Sequence, residues 1–151
     1  RYHRRYVALA NGRLDEDRAT WTWEIARRRA MVPAESRATV VRRSGPWLLL
    51  ALAPVTGRTH QLRIHASRAG AALLGDGAHG GLRRITSPTG AVRVLDRVAL
   101  HCAKVEVELE RPKRCMLSMS SPVPRELREL AKLIGLAAEG DPFEEALRCE
   151  V

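Results

Sequence analysis

Residues 54–70 read PVTGRTHQLRIHASRAG and place two histidines, three arginines, two threonines and a glutamine in one turn and one expected helix. The spacing predicts that helix over 59–69, because Leu62, Ala66 and Ala69 form an apolar stripe and Gly70 is a natural C-terminal stop. At about 100° per residue, His60, Arg63 and Ser67 share a second face, and Gln61, His65 and Arg68 a third. Ile64 falls between the two polar faces, so the helix is expected to be covered on more than its Leu62 side. Arg63 is then partly buried. A buried guanidinium is costly unless a carboxylate or phosphate meets it, so Arg63 is assigned a specific anionic partner. The competing reading is a capped helix whose polar side chains only fix neighbouring loops.

Other chemistries fit less well. His60 and His65 lie about 140° apart around a helix and cannot easily share one ion, and the chain has no HExxH, so no metal is expected. TGRTHQLR lacks the lysine and second glycine of a phosphate-binding loop, and the GxSxG elbow of serine hydrolases is absent.

Outward from this segment, RRYVALA at 4–10 reads as a strand, and TWTWEIA at 20–26 alternates like one, with Trp21, Trp23 and Ile25 on one side. ARRRAMVPAES is expected to be an exposed connection. RATVVRR and PWLLLALA flank Ser44-Gly45, a hairpin turn, and the second, nearly all apolar, should be a strand covered on both faces. Residues 75–81, GDGAHGG, form a tight loop, and 82–97 read as basic and irregular. KVEVELE at 104–110 and CMLSM after it read as paired strands, and SPVPRELRELAKLIGL as an amphipathic helix. This order predicts an α+β fold: a mixed, mostly antiparallel sheet with flanking helices. Residues 1–138 are read as one unit and 139–151 as a peripheral tail.

The 151 residues carry Lys+Arg 26 against Asp+Glu 17, a net charge of +9, with most of the excess in arginine. Arginine suits phosphates and base edges, so the charge points to nucleic acid, unless the arginine reflects only a basic proteome. No apolar run approaches the roughly 20 residues of a membrane span. Three scattered cysteines, Cys102, Cys115 and Cys149, fit reduced thiols and a cytoplasmic location.

PVTGRTHQLRIHASRAGAALLGD resembles the segment of RluA-type RNA pseudouridine synthases that reads P-x-TGR-[ST]-HQ-[IL]-R-[VI]-H, followed by G and then GD. Gly57, Arg58, Thr59, His60, Gln61, Arg63, His65, Gly70, Gly75 and Asp76 fall in register. RRYVALANG resembles that family's K-x-Y-x-A-x-x-x-G strand and VALHCAKVEV its L-x-LHA strand, so the likeness covers most of residues 4–134. The resemblance implies a pseudouridine synthase-like fold and isomerisation of uridine in structured RNA, ribosomal or transfer, with no cofactor and no metal. RNA is the implied partner, and a monomer the expected state within a full-length protein. Tyr6 would pack against the flipped base, and Arg63 would pair with the family's catalytic aspartate. Arg58, His60, Gln61, His65 and Leu74 would position or wall the substrate, while Gly57, Gly75 and Asp76 would hold loops.

Two departures stand out. The family keeps its nucleophilic aspartate in HRLD-x-x-[TS]-SG, ahead of the tyrosine strand, and this chain contains no such motif. Leu14-Asp15 and Leu95-Asp96-Arg97 share letters but not place. The chain is therefore expected to supply the tyrosine and arginine side of a site whose aspartate lies elsewhere. A non-catalytic RNA-binding remnant is the alternative. Strands that should pair with an absent half would present open edges, and Pro46–Ala53 is a candidate. In the glycine loop, His79 stands where the family usually has tyrosine.

Overall fold

Two strands too apolar to face water organise the molecule. In a computed structural model that describes residues 1–151, β1 (Tyr2–Gly12) and β6 (Trp47–Pro54) pair antiparallel, with Val7 opposite Ala51 and Leu9 opposite Leu49. Side chains alternate across the sheet, and along Val7–Ala10 and Leu48–Leu52 both faces are buried. Val7, Leu9, Leu49 and Ala51 point into one core, and Ala8, Ala10, Leu48, Leu50 and Leu52 into the other. β6 is the central strand read from its composition. It is not an open edge, because β5 (Ser36–Ser44) pairs along its other side. The two-residue link between Ser44 and Trp47 puts Gly45 at φ 55°, the left-handed region that glycine enters without penalty.

β2 (Arg18–Trp21) extends the sheet beyond β5. On the other side β1 pairs with β10 (Leu100–Leu109), which pairs with β11 (Cys115–Ser120), and β7 (Ala71–Leu73) joins the far end of β1. The order is β11-β10-β1-β6-β5-β2, and every pairing is antiparallel. One face of the sheet carries α1 (Gln61–Arg68), through Leu62 and Ala66. The other carries α2 (Arg125–Leu133) and α3 (Pro142–Arg148), through Leu127, Leu130, Phe143 and Ala146. The α+β class therefore stands.

Several expectations need correction. The segment after Gly140 is not peripheral. Asp141 accepts from the backbone N–H groups of Phe143 and Glu144, starting α3, and Phe143 is 1% exposed within the core. Arg5 and Thr39 then donate to the carbonyls of Leu147 and Glu150, fastening the chain end across the sheet. Residues 20–26 are not one strand. β2 stops at Trp21, and β3 (Ile25–Arg27) pairs with β4 (Ala30–Val32) as a separate hairpin in the supposed connection. Residues 82–97 likewise contain a hairpin, β8 (Arg84–Thr86) with β9 (Val92–Val94), which delivers Ile85 and Leu95 to the core. No helix is long and apolar enough to cross a membrane.

Candidate active site

α1 begins two residues later than expected, because His60 takes a left-handed backbone at φ 53°. That conformation is unfavourable for a side chain bearing a Cβ, and it turns the TGRTH stretch sharply into the helix. The two polar faces of α1 then meet different surroundings.

On the Gln61, His65 and Arg68 face, Gln61 and His65 are turned inward onto backbone and Arg68 stays exposed at its end. Gln61 is 3% exposed, and all its polar positions are used. Its Oε1 accepts from Thr56 Oγ1 at 2.6 Å and from the Arg58 N–H at 3.0 Å, while Nε2 donates to the Glu35 carbonyl at 2.7 Å and to Ser36 Oγ at 2.9 Å. His65 is fully buried. A carbonyl only accepts, so the 2.8 Å contact with the Trp23 oxygen fixes the proton on Nε2, and Nδ1 accepts from Ser36 Oγ at 2.9 Å. Arg68 donates to the Glu24 carbonyl and stands 5.8 Å over the Trp23 ring. Taking the Trp23 and Glu24 carbonyls out of the ladder is what breaks the strand at 22–24. Gln61 and His65, expected to touch substrate, are therefore loop fasteners with no group left for a ligand. Leu74 is not a pocket wall either. It is fully buried in the core beneath α2 and α3.

The Arg63 face is different. Arg63 donates from Nε to Asp76 Oδ2 at 2.9 Å and from Nη2 to Oδ1 at 2.6 Å, a fork on a carboxylate whose side chain is 0% exposed. The anionic partner demanded by burial exists, but it lies within this chain, contrary to the expectation that the polypeptide would not supply it. His79 Nδ1 lies 3.1 Å from both Asp76 oxygens, and the Ser67 hydroxyl donates to the His79 carbonyl at 2.6 Å. Burial pushes the Asp76 carboxyl up, but the hydrogen bonds and charges of Arg63 and His79 outweigh it and hold the pKa below the usual carboxylate range. In turn, the hydrogen bond and charge of Asp76 raise the Arg63 pKa against the opposing effect of burial. The Nη1 edge of Arg63 donates to nothing in the chain, and the side chain keeps 21% exposure. Gly75, at φ 81°, makes the loop possible, since a Cβ there would sit 2.0 Å from the Arg97 carbonyl oxygen.

Tyr6 lies on the face of β1 that α1 covers, half-buried beside the cluster containing Leu62 and Ala66. Burial raises the phenol pKa, neighbouring Cys102 adds to this, and Arg4 opposes it. The group therefore stays protonated at neutral pH. Arg4 donates to the Thr56 carbonyl and lies against Gly57, while Arg58 donates to the Pro33 carbonyl. These carbonyls leave the guanidinium charges uncancelled. An open groove at the start of β1 gathers Arg1, Arg4, Arg5, Arg37 and Lys104, with Glu106 as its one acidic side chain; Tyr6 does not line it, but its neighbour Arg4 does.

No family model matches the chain. It is 31% identical over 104 residues to the ribosomal large subunit pseudouridine synthase C of Vibrio parahaemolyticus, covering 69% of this chain and 31% of that protein. It is 31% identical over 140 residues to the ribosomal large subunit pseudouridine synthase D of Nitrosomonas europaea, covering 87% of this chain and 40% of that one. The chain belongs to the RluA-type RNA pseudouridine synthase family. It spans between about a third and two fifths of the length of those two relatives. A solved pseudouridylate synthase domain, human RNA Pseudouridylate Synthase Domain Containing 1, superposes with a TM-score of 0.65 at 22% identity. That match covers 94% of this chain and 68% of the human one, and shows that the two share a fold. No metal or cofactor requirement follows from these side chains. The Arg63–Asp76–His79 arrangement was only half legible: burial demanded an anion for Arg63, but no spacing rule tied a helix to a glycine loop 13 residues on.

Proposed function

We propose that this chain is part of an enzyme that isomerises uridine to pseudouridine in structured RNA, ribosomal or transfer, and that it supplies the tyrosine and arginine side of the site. The observation that carries the reading is the fork between Arg63 and buried Asp76. It fixes the guanidinium by one edge and leaves Nη1 free on the α1 face of the sheet, the face that also bears Tyr6. A guanidinium held this way can meet a second carboxylate, one from outside these 151 residues, without losing its first partner.

Isomerisation breaks the bond from N1 to the ribose, turns the base and joins C5 to the same ribose carbon. The C5 proton leaves and N1 gains one, so nothing is consumed. Tyr6, kept as a phenol, offers an aromatic face and a donor rather than a base. The arginine-rich groove that includes its neighbour Arg4 grips phosphates flanking a flipped nucleotide, which offsets the few kcal/mol that unstacking costs.

Mapping pseudouridine in ribosomal and transfer RNA tests this, after incubation with the 151-residue chain and with a longer polypeptide from the same gene. Product from the longer polypeptide alone is expected. Turnover by the short chain overturns the division of the site, and no product from either leaves the second reading, a non-catalytic RNA-binding protein. That reading draws on the same fork, because Asp76 already satisfies Arg63 within the chain.

A further inference from the structure

The β3–β4 hairpin does not join the main sheet and stands as a two-stranded ribbon of its own. A lone ribbon of that kind is marginal in water unless other groups hold it. Both of its legs are tied at the base to the segment around α1. On the incoming leg, His65 donates to the Trp23 carbonyl and Arg68 to the Glu24 carbonyl. On the outgoing leg, Arg58 donates to the Pro33 carbonyl and Gln61 to the Glu35 carbonyl. Ile25 and Ala34 are buried there. Beyond these anchors every residue from Ala26 to Met31 is exposed. The ribbon is fixed at one end and free at the other.

The free end is Arg27-Arg28-Arg29. None of the three guanidiniums bonds to a carboxylate or carbonyl of the chain, in contrast to Arg58 and Arg68 at the base. The one acid between residues 22 and 34 is Glu24, also at the base. Three adjacent like charges repel one another, and Arg28 sits at φ 55°, a left-handed position that glycine fills without penalty. The fold gains nothing from this arrangement, whose chemistry fits a partner with closely spaced negative charge. Arginine forks suit phosphates. No aromatic ring accompanies them at the tip, because Trp23 lies at the base beneath the Arg68 guanidinium. Single strands are held by stacking as well as by charge, whereas paired RNA is recognised through phosphates and shape.

We infer that the Arg27–Arg29 tip grips phosphates of a paired stem in the RNA, away from the nucleotide being isomerised. This rests on the reading of the chain as an RNA enzyme. His65, which holds the ribbon, and Arg63 lie on nearly opposite sides of α1, so the two contact regions are separated by the thickness of the helix, about 10 Å.

The test is binding of the 151-residue chain to a fluorescently labelled RNA hairpin, with a long paired stem and a uridine-containing loop, over a series of salt concentrations. Each phosphate contact on a duplex contributes about 0.9 to the slope of log affinity against log salt. Replacing the three arginines together, Arg27→Gln, Arg28→Gln and Arg29→Gln, should lower that slope by about 2–3 and weaken binding on the order of tenfold at about 0.1 M salt. A single-stranded RNA of the same length should lose much less. Arg28→Gly guards against a misfolded variant, because glycine accepts the left-handed backbone. Its urea midpoint should hold or rise while its affinity for the hairpin falls about twofold to threefold. Unchanged affinity and slope in either variant overturn the proposal and leave the RNA assignment standing, and so does an equal loss on the hairpin and the single strand. No RNA binding by the unsubstituted chain at any salt concentration removes both.

Discussion

The two polar faces of α1 look alike in sequence, a histidine and an arginine on each, and behave in opposite ways. On one, Gln61 and His65 spend every donor and acceptor on Glu35, Ser36, Thr56, Arg58 and Trp23, and Ser36 joins the two side chains. On the other, Arg63 and His79 converge on Asp76 and each keeps one hydrogen-bonding edge free. A segment this dense in polar groups thus divides its labour. One face closes the fold, and the other offers donors to something the chain does not contain. Side-chain burial separates the two faces only partly, since Asp76 is as buried as His65. The separation lies in which polar atoms remain unpartnered.

That contrast can be broken by substitution. The largest effect is expected from Arg63→Lys in the active polypeptide. Lysine keeps a cation for Asp76 but loses the rigid fork and the free Nη1 donors. Turnover should fall by on the order of 10²–10³-fold, while urea midpoints move little. A variant that melts early but turns over normally per folded molecule would move Arg63 to the structural side. Gln61→Ala should behave in reverse. It strands buried groups of Glu35, Ser36, Thr56 and Arg58, so unfolding free energy should drop by about 2–3 kcal/mol in urea titrations, with RNA affinity of the folded fraction preserved.

How far the sequence revealed this division follows from what kind of signal each residue carries. Alternation and apolar runs located β1, β5, β6, β10 and the two helices α1 and α2, because those elements bury side chains at a fixed period. The break at 22–24 was invisible, since Trp21, Trp23 and Ile25 alternate well and the carbonyls are drawn away only by His65 and Arg68 from another element. α3 was missed for the opposite reason. Its burial rests on Phe143 and Ala146 against a sheet face, too few apolar positions to show a period. In the site, Arg63 announced its need for an anion through the apolar residues around it, but Asp76 was read as a loop holder. It does hold the loop, and the same carboxylate clamps the guanidinium. Gln61 and His65 were legible as polar residues on a helix and illegible as core, because their burial depends on backbone groups that no pattern marks.

Acid titration sharpens the comparison further. The Asp76 pKa is depressed in the fold, so its stabilising contribution is present above the unfolded carboxyl value near about 3.9 and disappears as pH falls through the lower folded value. His65 is buried between Ser36 and the Trp23 carbonyl and contains no carboxylate contact. Asp76→Asn should therefore be less stable than wild type at neutral pH, with the gap narrowing below about pH 4. A gap that stays constant with pH would mean that Asp76 acts in the fold without its charge.

The smallest effect belongs to Arg68, and it probes where the fastening face ends. Arg68 is exposed, and its contacts are a 3.3 Å hydrogen bond to the Glu24 carbonyl and a stacked position 5.8 Å from the Trp23 ring. Water can replace the first, and cation–π contacts at exposed sites are worth about 0.5–1 kcal/mol. Arg68→Ala should cost no more than that in stability. It should also leave RNA affinity unchanged, whereas removing a phosphate-gripping arginine lowers affinity and flattens its salt dependence. If Arg68→Ala reduces the salt slope, the fastening face also reaches RNA. The boundary between the two sides of α1 would then run between His65 and Arg68, dividing a face that the helix geometry presents as one.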